Sequence, residues 1–204
     1  MNARDFFYRY DQIVVFDTEF TTWEGAMERQ WSGANEHREI VQLAAQKIDL
    51  KHETVIDSYE QLVRPRINTE LSEYFQKLTG IDQHSVDEQG VDFLEMMQAF
   101  DIWAGDTDRY AYGCRADEPA DVAVLQENIR LYNLPVEIDT QQYGNLAAVY
   151  QSVGIDTSRF NSGKLYQAFG LSLTGHEHNA MHDVTSLVQS LFATKRILLG
   201  SAAV

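Results

Sequence analysis

Three strand-like runs follow one another in the first third of the chain, at residues 11–20, 39–50 ("EIVQLAAQKIDL") and 54–65 ("TVIDSYEQLVRP"). The second is too continuously apolar and small for a surface helix, and the third alternates apolar with polar residues into Pro65. Three successive strands predict an antiparallel meander. Helical periods then take over. Leu71, Tyr74, Phe75 and Leu78 recur at i, i+3, i+4 and i+7 and stop at Gly80, and residues 91–105 repeat the period and also end in Gly. A short strand is expected over 109–114, then a helix with Val122, Leu125, Ile129 and Tyr132 on its apolar face. Residues 136–143 read either as a last strand or as the lead into a helix near 143–153. The C-terminal helix is the clearest, with Val184, Leu187, Val188, Leu191 and Phe192 on one stripe. Strands first and interleaved helices later predict a mixed α/β fold, and 204 residues suit one domain, 1–204, with a full core.

The first strand carries an anomaly. In "VVFDTEF" (14–20), Asp17 and Glu19 lie two positions apart, so on a strand both project to one face while Phe16, Thr18 and Phe20 project to the other. Two carboxylates about 7 Å or less apart in a poorly solvated site repel unless a cation or a proton lies between them. The alternative is that the strand ends at Phe16 and residues 17–22 form a solvated loop.

Further acids stand where other elements begin. Asp121 lies four and eight residues before Leu125 and Ile129, on the inward side of its helix, although an acid at a helix start is also favoured by the macrodipole alone. Asp117 competes with it, lying closer to the end of the preceding strand at Gly113. Asp183 precedes the apolar stripe of the last helix. The segment "HEHNAMHD" (176–183) holds His176, His178 and His182, three of the chain's six histidines, and a neutral histidine can take a proton from water near pH 7. His178 and His182, four apart, also allow a zinc reading if they share a helix face, though the Glu of an H-E-x-x-H motif is absent. Paired acids on several elements with one histidine suit a site for two divalent cations, which need bridging negative charge on every side.

Charge limits the partners. With 16 Lys and Arg against 31 Asp and Glu, the formal net charge is −15, which argues against tight nonspecific binding to duplex nucleic acid more firmly than against a small site where cations meet phosphate. The single cysteine, Cys114, allows no internal disulfide, and neither a signal peptide nor a membrane-length apolar run is present, so a soluble, cytoplasmic protein is expected. The polar segment 21–38 carries Trp23 and Trp31 and directly follows the acid pair; a lid over substrate is one reading of it.

"FDTEFT", an Asp ahead of an apolar helix, and "HNAMHD" as His-x4-Asp resemble in order and spacing the DEDDh exonucleases, 3′-to-5′ exonucleases of the ribonuclease H-like superfamily. The resemblance covers nearly the whole chain. Residues 62–100, with "LTGI", and "LYQAFGL" ahead of the histidine resemble the exoribonuclease branch related to enzymes that trim histone-message and small-RNA ends. The likeness implies a mixed five-stranded sheet flanked by helices and two divalent cations, Mg2+ or Mn2+. It implies Asp17, Glu19 and Asp183 as ligands of one cation, Asp17 and Asp121 for the second, and His178 as general base. It further implies Phe20 and Thr21 near the terminal nucleotide, with Leu78, Thr79 and Ile81 as a wall against its base and sugar. Here the chain departs from the family pattern: "CRADEPAD" after Gly113 means that an insertion precedes Asp121 or that Asp117 takes its role. The implied reaction is hydrolysis of single-stranded or short nucleic acid, RNA favoured, to nucleoside 5′-monophosphates. A DNA exonuclease of proofreading or repair type, or a catalytically silent nucleic-acid-binding module of this fold, is the alternative. Protein partners are left undefined, as is the choice between monomer and homodimer.

Overall fold

The computed structural model describes residues 1–113 and 119–200, so Cys114 and the Asp117 alternative lie outside the described residues. A short helix, α1 (Ala3–Arg9), is capped by Asn2, whose side chain accepts from Asp5 N, and it carries the fully buried Phe6. The meander follows as β1 (Gln12–Phe20), β2 (Ile40–Asp49) and β3 (Thr54–Leu62), paired antiparallel in chain order. Helices α2 (Glu73–Thr79), α3 (Gln83–Gln89) and α4 (Phe93–Ala104) come next. Gly80 ends α2 in the left-handed region at φ 75°, a conformation in which a Cβ would be penalised.

The chain then returns to the sheet. Strand β4 (Arg109–Ala111) lies parallel to β1, helix α5 (Ala120–Leu131) follows, and β5 (Tyr143–Asn145) lies parallel to β4, which gives the order β3-β2-β1-β4-β5. The mixed five-stranded sheet flanked by helices is therefore present. Residues 136–143 are not a strand: Asp139 accepts from Gln141 N and caps a 3-10 turn at Thr140–Gln142, so pairing begins only at Tyr143, opposite Arg109. Helix α6 (Ala147–Gln151), a 3-10 stretch at Ser162–Phe169 and the long α7 (Ala180–Gly200) complete the fold.

The two faces of β1 explain the site. Ile13 and Val15 pack with the α7 stripe of Val184, Leu187, Val188 and Leu191, whereas Val14 and Phe16 pack with Phe93, Met96 and Phe100 of α4 and Val122 and Leu125 of α5. A central strand buried on both faces has no solvated side on which to place a charge. Asp17 and Glu19 extend the row that faces α7, and Thr18 extends the row that faces α5.

Candidate active site

β1 does not end at Phe16: it is paired with β2 as far as Phe20, with Asp17 opposite Ala44 and Glu19 opposite Gln42. Both acids are buried within the sheet, 6% and 9% exposed. The parallel neighbour β4 is so short that it pairs only with Val14 and Val15. Beyond it the backbone N–H of Thr18 has no strand partner, and Asp121 from the first turn of α5 fills the gap. Its Oδ1 accepts from Thr18 N at 3.0 Å and from Thr18 Oγ1 at 2.8 Å.

Asp183 arrives from the other face. Asn179 accepts from His182 N through its Oδ1 and from Asp183 N through its backbone carbonyl, while Gln42 Oε1 accepts from Ala180 N at 2.9 Å. The side chain opposite Glu19 on β2 thus holds the first turn of α7 over the acid pair. His178 lies just before the helix with its backbone in the left-handed region at φ 60°, an unusual conformation for a residue other than glycine. Glu19, His178 and Asp183 each offer a ligand atom, all within 4.8 Å of one another. His182 is not in that group. Its ring meets Tyr166 edge-on and lies against Gly175, so the two histidines do not share a helix face.

Electrostatics set the acids apart from ordinary carboxylates. Burial, and then the charges of Asp121, Asp183 and Glu19, hold Asp17 well above the usual carboxylate range; burial, Asp183 and Asp121 do the same to Glu19. Burial also pushes Asp121 and Asp183 up to about 6, against the hydrogen bonds that Thr18 and Ser162 respectively donate to them. For His178 burial works in the other direction and holds the imidazole below its ordinary value, hence neutral at pH 7. Asp183 Oδ1 is buried without a hydrogen-bond partner among the described residues. Four crowded, dehydrated carboxylates with a free ligand oxygen fit divalent cations, which supply the missing positive charge.

Two residues absent from the sequence reading complete the packing. Ser162 Oγ donates to Asp183 Oδ2 at 2.9 Å, and a Cβ on Gly163 would lie 2.4 Å from Asp183 Oδ1. No local pattern in "FNSGKL" marks that contact, which joins the 3-10 stretch to α7 across 21 positions.

The five residues expected around the substrate separate into two sets. Phe20 and Leu78, with Trp31 and Tyr74, line a cavity of about 170 Å³ that Glu19 and His178 also border. Thr21, Thr79 and Ile81 do not line it. Thr21 Oγ1 donates to His37 O and accepts from Glu39 N; Thr79 Oγ1 donates to Phe75 O and accepts from Ile81 N; and Ile81 borders a different cavity with Gln42 and Glu60.

A sequence profile of the exonuclease family (RNase T) matches residues 14–191. The chain belongs to the exonuclease family. This exonuclease-family chain is 26% identical, over 86% of its length, to the 3′-5′ exonuclease eri1 of Schizosaccharomyces pombe, of which it covers 65%. It is 24% identical over 88% of its length to the 3′-5′ exoribonuclease 1 of Mus musculus, of which it covers 52%. It therefore spans about half to two thirds of the length of these relatives. In fold it superimposes on the nuclease domain of 3′hExo, a DEDDh family member bound to rAMP, with a TM-score of 0.72 at 21% identity and 94% coverage of both chains. The cell-death related nuclease 4 (CRN-4) gives 0.70 at 22% identity, covering 94% of this chain and 65% of the other. Among the described residues no helix is long and apolar enough to cross a membrane.

Proposed function

We propose that residues 1–204 act as a single 3′-to-5′ exonuclease domain that hydrolyses single-stranded or short nucleic acid, RNA in preference to DNA, to nucleoside 5′-monophosphates. The observation that carries this is the convergence of four buried acids from β1, α5 and α7 with a histidine whose ligand atom lies within 4.8 Å of those of Glu19 and Asp183. Asp17, Glu19 and Asp183 would hold one divalent cation, and Asp17 with Asp121 a second; Mg2+ or Mn2+ suits an all-carboxylate donor set. When bound, such a pair acidifies the attacking water and neutralises the departing 3′ oxygen.

The chain's own residues do the rest. His178, neutral at pH 7, would accept the water's proton at a ring nitrogen, from a residue held in the left-handed region just before α7. Phe20 and Leu78 border the cavity that would receive the terminal base. The preference for RNA is supported by the exoribonuclease relative, and a reducing, cytoplasmic setting by the single cysteine.

The test is digestion of matched 3′-labelled and 5′-labelled single-stranded RNA and DNA with Mg2+, Mn2+ or chelator, alongside Asp17→Ala and His178→Ala. Release of the 3′ label as mononucleotide, dependent on the cation and abolished in both variants, is expected. Intact substrates that still bind the protein would instead identify a silent binding module.

A further inference from the structure

The polar segment 21–38 has no part in the chemistry above, yet it delivers two tryptophans, Trp23 and Trp31, to the cavity beside the acids, and Trp31 is the one held there in an unusual backbone conformation. Gln30 and Trp31 are both in the left-handed region, at φ 55° and 51°, and a bulky aromatic residue stays there only where its surroundings hold it. The holding contacts are specific. Trp31 N donates to Ala26 O at 2.8 Å, and the Trp31 ring meets Phe20 edge-on at 5.7 Å. The Arg38 guanidinium lies 5.4 Å from the Trp31 ring and 5.8 Å from that of Phe20, and its Nε donates to Glu127 on α5 at 2.9 Å. Trp31 Nε1 is meanwhile buried with no hydrogen-bond partner among the described residues. A strained backbone and an orphaned donor, beside a cation shared with Phe20 and Glu127, are features that stability alone does not select.

The side chain so held borders the 170 Å³ cavity with Phe20, Trp23, Tyr74 and Leu78, while Glu19, His178 and Glu28 stand on its polar border. That volume is of the order that admits one aromatic ring system (~150 Å³). A flat apolar slot beside an acid cluster built for cations matches a nucleotide whose phosphate lies at the acids and whose base enters the slot. We infer that Trp31 is a specificity-determining residue that packs against the base of the 3′-terminal nucleotide, selecting an unpaired end and favouring purines through their larger face, with Arg38 as its positioning residue. This rests on the exonuclease reading for the identity of the ligand.

The test pairs calorimetric binding of adenosine 5′-monophosphate in Mg2+ with steady-state kinetics on single-stranded RNA ending in A or in U. Trp31→Ala is expected to weaken nucleotide binding and raise KM roughly ten- to a hundredfold, the range of one lost base–aromatic contact, and to erase the A-over-U preference while kcat falls far less. Trp31→Phe should recover most of the loss. Arg38→Met, which leaves the ring but removes its support, should raise KM several-fold and carries the test if Trp31→Ala does not fold. Normal hydrolysis with unchanged KM in a folded Trp31→Ala or in Arg38→Met would overturn the assignment and leave the exonuclease reading standing. A wild-type protein that binds the nucleotide through Trp31 but hydrolyses nothing would reverse that outcome.

Discussion

Asp17 and Glu19 were legible in the sequence because a strand has a period of two: their positions continue the row of Ile13 and Val15, and that row is buried. The place of Asp121 was not legible, because it depends on where β4 stops and leaves Thr18 N unpaired, which no spacing within "CRADEPAD" encodes; Asp117 lies outside the described residues. Ser162 and Gly163 were invisible for a similar reason, since their meeting with Asp183 is a tertiary contact between segments of unrelated pattern. The same crowding yields a test. Asp121 and Asp183 are pushed up to about 6, and Asp17 and Glu19 lie higher than ordinary carboxylates, so above pH 4 the metal-free fold retains protons that the unfolded chain has lost. Stability from these groups is therefore full below the unfolded carboxylate range and is lost as pH rises through about 6. In chelator the melting temperature should be higher at pH 5 than at pH 7.5, and Mg2+ or Mn2+ should restore it at pH 7.5. Asp121→Asn, which keeps an oxygen for Thr18 N, should flatten that dependence in a thermal-melt series. A slope unchanged by Asp121→Asn would remove Asp121 from the groups that cause the effect.

At the scale of elements, segments with a clear apolar period announced themselves and most of those without one did not. The meander, α2, α4, α5 and α7 follow from apolar period and from Gly80 and Gly105 as stops. By contrast α1, α3 and β5 have no apolar period in the sequence to mark them, whereas α2, no longer than α1 or α3, is marked by Leu71, Tyr74, Phe75 and Leu78 and by Gly80. How the elements are placed against one another depends on buried side-chain links that no period encodes. Asn128 of α5 accepts from Ile40 N through Oδ1 and donates to Arg38 O through Nδ2, which ties the start of β2 to the helix carrying Asp121. Glu39, fully buried, accepts from Arg66 N at 2.7 Å, from Ile67 N at 2.8 Å, and also from Asn68 N and the Tyr132 hydroxyl. One carboxylate thus holds the turn that leads into α2, and α2 carries Tyr74 and Leu78 to the cavity. Glu39→Ala strands those donors in a dry interior and should cost on the order of 3–5 kcal/mol, with Glu39→Gln costing about half. Urea unfolding should show this as a lower midpoint at an unchanged slope, and KM for RNA should rise with it. A midpoint shift under about 1 kcal/mol in Glu39→Ala would mean that water replaces the carboxylate.

Considered as a whole, the molecule carries a formal charge of −15 and still belongs to a family that acts on nucleic acid. Part of the excess negative charge is the acid cluster itself, and several of the cations are already engaged: Arg38 with Glu127, Arg66 with Asp92, Arg109 with Asp101, and Lys164 with Glu177. Ion pairs among the described residues engage eight of the sixteen Lys and Arg, and acids outnumber cations nearly two to one, so affinity is expected to come mainly from divalent cations at one phosphate and from aromatic contact at one base. Those two sources respond differently to monovalent salt. A protein that makes six to ten phosphate contacts loses about 10³–10⁵ in affinity between 50 and 200 mM salt, because each contact releases a condensed counterion. For this protein KM on a short single-stranded RNA at fixed Mg2+ should change less than about tenfold over that interval, a slope equivalent to one or two phosphates. Duplex RNA, whose terminal base is paired and whose phosphates meet an acidic protein, should be cut far more slowly at every salt concentration. A steep loss with salt, measured as log KM against log KCl, would reveal a basic track for the upstream strand and would shift the origin of affinity from the terminal nucleotide to the backbone behind it.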